Sequence, residues 1–213
     1  MIAIVDYGMG NLRSVQKAVE KVGYKAEITR SPQRIADARA VILPGVGAFK
    51  DCIDNLEKFA LITPVLKAIS SGKPFLGICL GLQLLFSESL EFGRHPGLNV
   101  IKGVVKPFSP TMPDPDRSGG FLKIPHMGWN SVRVLKPAGA LAEVQDGSYF
   151  YFVHSYYVEP EDRQTVALVS DYGGEFVAAV AFDNVLATQF HPEKSQLQGL
   201  AILQAFAAST KKG

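Results

Sequence analysis

The chain is poor in cysteine: its 213 residues hold only Cys52 and Cys79. One disulfide at most is available, so a disulfide-stapled fold is excluded and reduced thiols are expected, as in an intracellular protein. No apolar run approaches the ~20 residues that span a bilayer. The opening segment Met1-Ile2-Ala3-Ile4-Val5-Asp6 has no basic flank and is broken by Asp6, unlike a leader peptide. These absences set the expectation of a cytoplasmic protein without membrane contact. Basic charge is not in excess either. Lys and Arg number 22 against 20 Asp and Glu, a net +2, whereas a chain that tracks nucleic-acid phosphates carries a strong basic surplus. No internal repeat, low-complexity tract or linker divides the chain. With 47% hydrophobic and 20% charged residues it is expected to form one globular domain over 1–213.

What the chain has is an alternation of short apolar strands and helices over its first 90 residues. Ile2-Ala3-Ile4-Val5 is a continuous apolar run, the pattern of a strand covered on both faces. Val15, Ala18, Val19 and Val22 recur at i, i+3, i+4, i+7, and Gly23 ends that helix. Further strands are expected at 25–29, 40–43 and 74–78, and helices opening at Ser31-Pro32 and Thr63-Pro64. Residues 80–89 read as a helix. This rhythm makes a parallel sheet with right-handed crossovers, whose ligands sit beyond the carboxyl ends of the strands. The loops at 7–11 and 44–48 and the turn at 79 are therefore expected at one sheet edge.

The second half is richer in strand. Strand-like stretches lie at 98–108, 129–135, 149–158, 165–170, 175–182 and 185–190. Tyr172-Gly173-Gly174 and Asp183-Asn184 read as hairpin turns, and a closing helix is expected near 195–208. Segment 109–120, with three prolines and two glycines, reads as a mobile surface loop. The expected fold class is α/β: a three-layer domain around a central mixed, largely parallel sheet.

Lys73-Pro74-Phe75-Leu76-Gly77-Ile78-Cys79-Leu80-Gly81-Leu82-Gln83 is the most informative segment. It sets Cys79 between a strand and a helix with a glycine two residues to either side, the arrangement of a nucleophile elbow with Cys in place of Ser. Such a turn exposes the side chain at the sheet edge, and the glycines let neighbouring backbone approach. The following helix N-terminus favours thiolate. It also offers the Leu80 N–H to a developing oxyanion. Pro44-Gly45-Val46-Gly47 ends a neighbouring strand, and its peptides can supply a second oxyanion donor. Cys52 lacks a glycine frame and reads as a small buried hydrophobe.

A nucleophilic Cys needs a base, and the base needs orienting. Of the four histidines, His95, His126, His154 and His191, His191 ends an apolar strand and is followed by Pro192 and Glu193. The proline limits the intervening backbone, so the carboxylate can reach back to the imidazole, fix its tautomer and stabilise the imidazolium. His154 is the next choice as base. His154-Ser155-Tyr156-Tyr157 brings polar groups to a strand end, where they can grip a small zwitterion.

Through Gly77-Ile78-Cys79-Leu80-Gly81-Leu82-Gln83 and His191-Pro192-Glu193 the sequence resembles the class I (triad-type) glutamine amidotransferases over nearly its whole length. Asp6-Tyr7-Gly8-Met9-Gly10-Asn11-Leu12-Arg13-Ser14, Pro44-Gly45-Val46-Gly47-Ala48-Phe49, Pro125-His126-Met127-Gly128-Trp129-Asn130 and Tyr151-Phe152-Val153-His154-Ser155-Tyr156-Tyr157 are similar to one branch of that family, the glutaminase subunits of imidazole glycerol phosphate synthases in histidine biosynthesis. The resemblance implies a flavodoxin-like fold and L-glutamine as substrate. Cys79 would attack the side-chain amide, His191 would protonate departing ammonia and then activate water, and Glu193 would orient His191. Leu80, Val46 and Gly47 would form the oxyanion site, and Gly47, Gln83, Glu91, Ser155 and Tyr156 would hold the glutamine. A separate (β/α)8-barrel cyclase subunit would receive the ammonia, with Asn11, Met127 and Trp129 at the interface. Neither metal nor cofactor enters this reading.

Three other readings stand beside it. The chain can serve a different biosynthetic amidotransferase, it can be a regulatory module of the same fold, or it can be a redox protein using Cys52 and Cys79. The intact Cys79, His191 and Glu193 weigh against the second, and the missing C-x-x-C spacing against the third.

Overall fold

The computed structural model describes residues 1–115 and 119–210. Ile2–Val5 (β1), Leu12–Lys21 (α1), Ala26–Thr29 (β2), Pro32–Asp37 (α2), Ala40–Gly45 (β3), Phe49–Lys58 (α3), Ile62–Ser70 (α4) and Phe75–Cys79 (β4) follow the expected alternation. Parallel pairing joins β2 to β1, β1 to β3 and β3 to β4. After β4 come Leu80–Gln83 (α5), Phe86–Ser89 (β5), His95–Pro96 (β6), Ile101–Pro107 (β7), His126–Ser131 (β8), Arg133–Val134 (β9), Tyr149–His154 (β10), Tyr156–Pro160 (β11), Val166–Asp171 (β12), Glu175–Phe182 (β13), Val185–Thr188 (β14) and Gln196–Ser209 (α6). β14 lies parallel to β4, and β13, β12 and β9 continue the sheet antiparallel, through the two hairpins read from the sequence. The central order is β2-β1-β3-β4-β14-β13-β12-β9.

Side-chain alternation along the buried strands divides the core into two layers. Ile2 and Ile4 of β1, Ala40 and Ile42 of β3 and Leu76 and Ile78 of β4 face α1 and α6. Their neighbours Ala3, Val5, Val41, Leu43 and Phe75 face α3 and α4. Apolar residues at every position are thus what a sheet covered on both sides requires. Among the described residues, no helix is long and apolar enough to cross a membrane.

Two expectations are corrected. Residues 80–89 are not one helix: α5 is a single turn, and β5 follows it. Residues 80–86 are buried without exception, so the segment has no polar face to turn to water, and β5 pairs with β7 instead. The 149–158 stretch breaks at Ser155, because β10 pairs with β8 whereas β11 pairs with β7. The strands outside the central sheet form two further sheets. These are a four-stranded sheet, β11-β7-β5-β6, and a two-stranded ribbon, β8-β10. The described parts of segment 109–120 are joined by backbone hydrogen bonds. Asp114 N–H donates to Gly120 O at 3.0 Å and Leu122 N–H to Met112 O at 2.9 Å, while 116–118 lie outside the described residues.

Candidate active site

Cys79 is the last residue of β4, immediately before α5. Its φ of 56° and ψ of −108° are a strained backbone conformation for a residue with a side chain. Surrounding contacts that only glycine permits hold it there. A Cβ on Gly81 would stand 1.9 Å from Leu43 O, and one on Gly77 would stand 2.8 Å from Gly81 O. A Cβ on Gly45 would meet the Tyr7 hydroxyl at 2.6 Å. β3, β4 and α5 are therefore drawn together around the elbow. α5 has only four residues, so the helix expected to support a thiolate contributes one turn of aligned dipoles.

The thiol is not exposed as the elbow pattern suggests. Cys79 is only 6% exposed, because β10 lies across it. Its sulfur is 3.9 Å from Val153 O, and Gln189 Nε2 donates to it at 3.7 Å. Gln189 escaped the sequence reading. Its signal was a buried amide in an otherwise apolar run just before His191.

His191 begins the helical turn Pro192–Lys194 that precedes α6. Its N–H donates to Tyr151 O at 3.0 Å, and its carbonyl accepts from Ser195 Oγ at 2.6 Å. Ser195 Oγ in turn accepts from Tyr151 N–H at 3.0 Å, so the turn is pinned to β10. α6 packs closely on it because Gly199 lacks a side chain: a Cβ there would stand 1.9 Å from Pro192 O. His191 Nδ1 and Glu193 Oε1 are 2.8 Å apart, both side chains being almost fully buried. A carboxylate accepts, so Nδ1 carries the proton. Nε2 has no hydrogen-bond partner of normal geometry among the described residues. Burial pulls the imidazole pKa down, but the Cys79 sulfur beside the ring and Glu193 raise it to about 10. The ring is thus held as an imidazolium at neutral pH, paired with Glu193 and facing the Cys79 sulfur. His154 is excluded as the base, because both of its ring nitrogens are already hydrogen-bonded.

Val46, Gly47, Leu80, Gln83, Glu91, Ser155 and Tyr156 surround a cavity of about 570 Å³ with Cys79 and His191. All the residues predicted for substrate and oxyanion binding are therefore brought together. Two carry structural duties as well. Glu91 Oε2 accepts from Phe49 N–H at 2.5 Å and caps α3, whose own cap residue, Ala48, has no side-chain acceptor. Val46 O accepts from Cys52 Sγ at 3.7 Å. Burial pushes the Cys52 thiol up to about 12, so it remains a donor. Cys52 therefore orients the Val46–Gly47 peptide as well as filling space. Gln83 Nε2 donates to Tyr156 O at 3.1 Å and to Gln189 Oε1 at 3.0 Å. Asn11, Met127 and Trp129 lie outside the cavity lining. Asn11 is exposed on the loop after β1, and Met127 and Trp129 are 61% and 46% exposed on the outer face of β8.

This constellation can perform acyl transfer: a nucleophilic sulfur, an imidazolium acid with its orienting carboxylate, and a small pocket with polar walls. Residues 3–209 match the family described as glutamine amidotransferase class-I. The chain belongs to the class-I glutamine amidotransferases. The family match covers both halves of the site, from the elbow to the His191 turn. Within the amidotransferases, the chain is 57% identical to imidazole glycerol phosphate synthase subunit HisH of Syntrophotalea carbinolica, over 97% of this chain and 98% of that one. It is 54% identical to the subunit of the same name from Geobacter metallireducens, over 98% of each. A solved amidotransferase-fold structure, PurLQS from Thermotoga maritima, aligns with a TM-score of 0.72 at 21% identity, covering 98% of this chain and 97% of that one. At that identity the likeness speaks for the fold alone.

Proposed function

We propose that this chain is the glutaminase subunit of an imidazole glycerol phosphate synthase, hydrolysing L-glutamine to L-glutamate and ammonia. One observation carries the chemistry: Cys79 on its strained elbow beside the buried His191–Glu193 pair. The thiolate attacks the side-chain amide carbon, and the carbonyl electrons move to oxygen. Leu80 and the Val46–Gly47 peptide stabilise that oxyanion. Nε2–H of His191 protonates the nitrogen as the carbon–nitrogen bond breaks, releasing ammonia and leaving a thioester. Neutral His191 then takes a proton from water, hydroxide adds to the thioester, and collapse frees glutamate and the thiolate. Glu193 fixes the ring and stays ionised throughout.

Gln83, Glu91, Gly47 and the Ser155–Tyr156 segment hold the glutamine, with the free oxygen of Glu91 directed to its ammonium. The ammonia passes to a separate (β/α)8-barrel cyclase subunit. Free ammonia in neutral water is mostly protonated and has no lone pair for attack, so a dry path between subunits preserves its reactivity. The outer face of the β8–β10 ribbon, with Met127 and Trp129, supports a docking surface directly behind the covered thiol. The relatives' shared name supports this reading over service to another amidotransferase.

The test is ammonia release from glutamine, with and without a cyclase subunit and its nucleotide ligand. Glutamine-dependent release that vanishes in Cys79→Ala, while buffer ammonia still supports the synthase, is expected. Retained glutamine hydrolysis in Cys79→Ala would overturn the assignment.

A further inference from the structure

β8 carries two different faces. Met127 and Trp129 point outward, while His126 and Asn130 point inward, beneath them, against β10. The inner groups form a chain of hydrogen bonds whose direction is fully determined. Ser131 N–H donates to Asn130 Oδ1 at 2.8 Å, and Asn130 Nδ2 donates to Asp171 O at 2.8 Å, which fixes the amide orientation. The same Nδ2 lies 3.3 Å from His126 Nε2, so that nitrogen is the acceptor. At the far end, His154 Nδ1 is 2.8 Å from Tyr156 O. A carbonyl only accepts, so Nδ1 of His154 carries the proton. His126 Nδ1 and His154 Nε2, 2.9 Å apart, complete the line. Two facing donors there would repel, so both rings are neutral and both carry their proton on Nδ1. Burial supports this, lowering the His126 pKa to about 4 and that of His154 to about 3. Phe152 and Tyr172 stack on the His126 ring and resist the turn that would exchange its two nitrogens.

The line ends on an acceptor in the pocket wall. Tyr156 O receives His154 on one side and Gln83 on the other. Gln83 also holds Gln189, and Gln189 donates to the Cys79 sulfur. We propose that His126 and His154 are positioning residues for glutamine binding, setting the Tyr156 carbonyl, and through it Gln83, by a one-way relay of hydrogen bonds from Asn130 on β8. The proposal rests on the glutaminase reading for its ligand but not for its geometry. It makes the strand that bears Met127 and Trp129 rigidly continuous with the pocket wall.

The test uses the full chain with its cyclase partner for kinetics, and the full chain alone for spectroscopy. His154→Phe keeps the ring but removes the donor to Tyr156 O. KM for glutamine rises about 10-fold, the scale of one buried hydrogen bond lost with its partner unpaired, while kcat stays within about threefold. His154→Asn places an amide N–H near the position of Nδ1 and restores KM to within about threefold. His126→Phe behaves as His154→Phe does, and serves if the latter does not fold. A KM unchanged in the Phe variants, or Asn as impaired as Phe, overturns the proposal. The ¹⁵N spectrum of the wild-type rings at pH 7 gives a readout independent of glutamine. Two neutral Nδ1–H tautomers are expected, and an Nε2–H tautomer or an imidazolium at either ring overturns the relay. A wild-type chain that neither hydrolyses glutamine nor is protected by it from alkylation at Cys79 defeats the functional reading instead, and the spectrum still decides the relay.

Discussion

Cys79 shows how one residue can be costly to the fold and necessary to the site. Its backbone is strained and its side chain is nearly buried, so stability alone would favour glycine there. Cys79→Gly is therefore expected to melt no lower than Cys79→Ala, despite losing another methyl group, while both lose glutamine hydrolysis. Thermal unfolding beside an ammonia-release assay checks this. The base pair should divide unequally. His191→Ala is expected to fall nearly as far as Cys79→Ala, because groups that act as a unit are not additive. Glu193→Gln, which changes only the orienting partner, should retain more rate. Steady-state kinetics of the two variants separates these roles, and equal losses would give Glu193 a larger one than orientation.

At the scale of elements, close approach decides the site more than secondary structure does. β3 passes behind α5, and α6 passes behind the His191 turn, at two glycines where a Cβ would fall 1.9 Å from a carbonyl oxygen. Gly199→Ala must push α6 or Pro192 aside. The expected cost is about 1–3 kcal/mol, as for other overpacked interiors. The displaced turn carries Glu193, so kcat should fall as well. A normal kcat in a folded Gly199→Ala variant would show that the turn absorbs the shift without moving the acid. The same reasoning explains why the active-site ribbon β8–β10 stands outside the central sheet. It must lie across the end of β4 to bring Val153 O and Tyr151 O to Cys79 and His191, which a strand within the sheet cannot do.

For the whole molecule, three buried histidines shape the response to pH. His191 has its pKa raised from 6.5 to about 10, so its contribution to stability is full below about 6.5 and is lost as pH rises through about 10. His126 and His154 have theirs lowered from 6.5 to about 4 and about 3. Their contribution is full above about 6.5 and is lost as pH falls through those values. The melting temperature should therefore be highest near pH 6.5 and decline on both sides of it. In Cys79→Ser, which removes the sulfur that helps raise the His191 pKa, the alkaline decline should weaken. Melting curves from acid to alkaline pH test both arms. Assembly gives a second prediction. Val46 lies between Gly45 and Gly47, the latter at a φ of 101°, so the Val46–Gly47 peptide can turn its N–H at small backbone cost, giving up the Cys52 hydrogen bond to Val46 O. One missing oxyanion donor lowers the rate roughly 100- to 1,000-fold. A rise of that order in kcat is expected when the liganded cyclase binds, and equal kcat with and without it would remove the peptide as a switch.

The sequence by itself determined the alternating strands, the elbow at Cys79 and the local pairing of His191 with Glu193. Each of these depends on neighbours within a few residues: unbroken apolar runs, glycines at fixed offsets, a carboxylate two positions from an imidazole. Residues 80–89 and 149–158 misled for the same reason. Whether an apolar run is helix or strand, or one strand or two, is settled by what it pairs with, and β7, which pairs with both β5 and β11, lies outside either run. Only the tertiary structure decided that Gln189 reaches the Cys79 sulfur, that Cys52 holds Val46, that Glu91 caps α3, and that His126 and His154 hydrogen-bond to one another. In each case a polar group leaves water and must find a hydrogen-bond partner. That partner lies on a different element of the chain, where no local pattern records it.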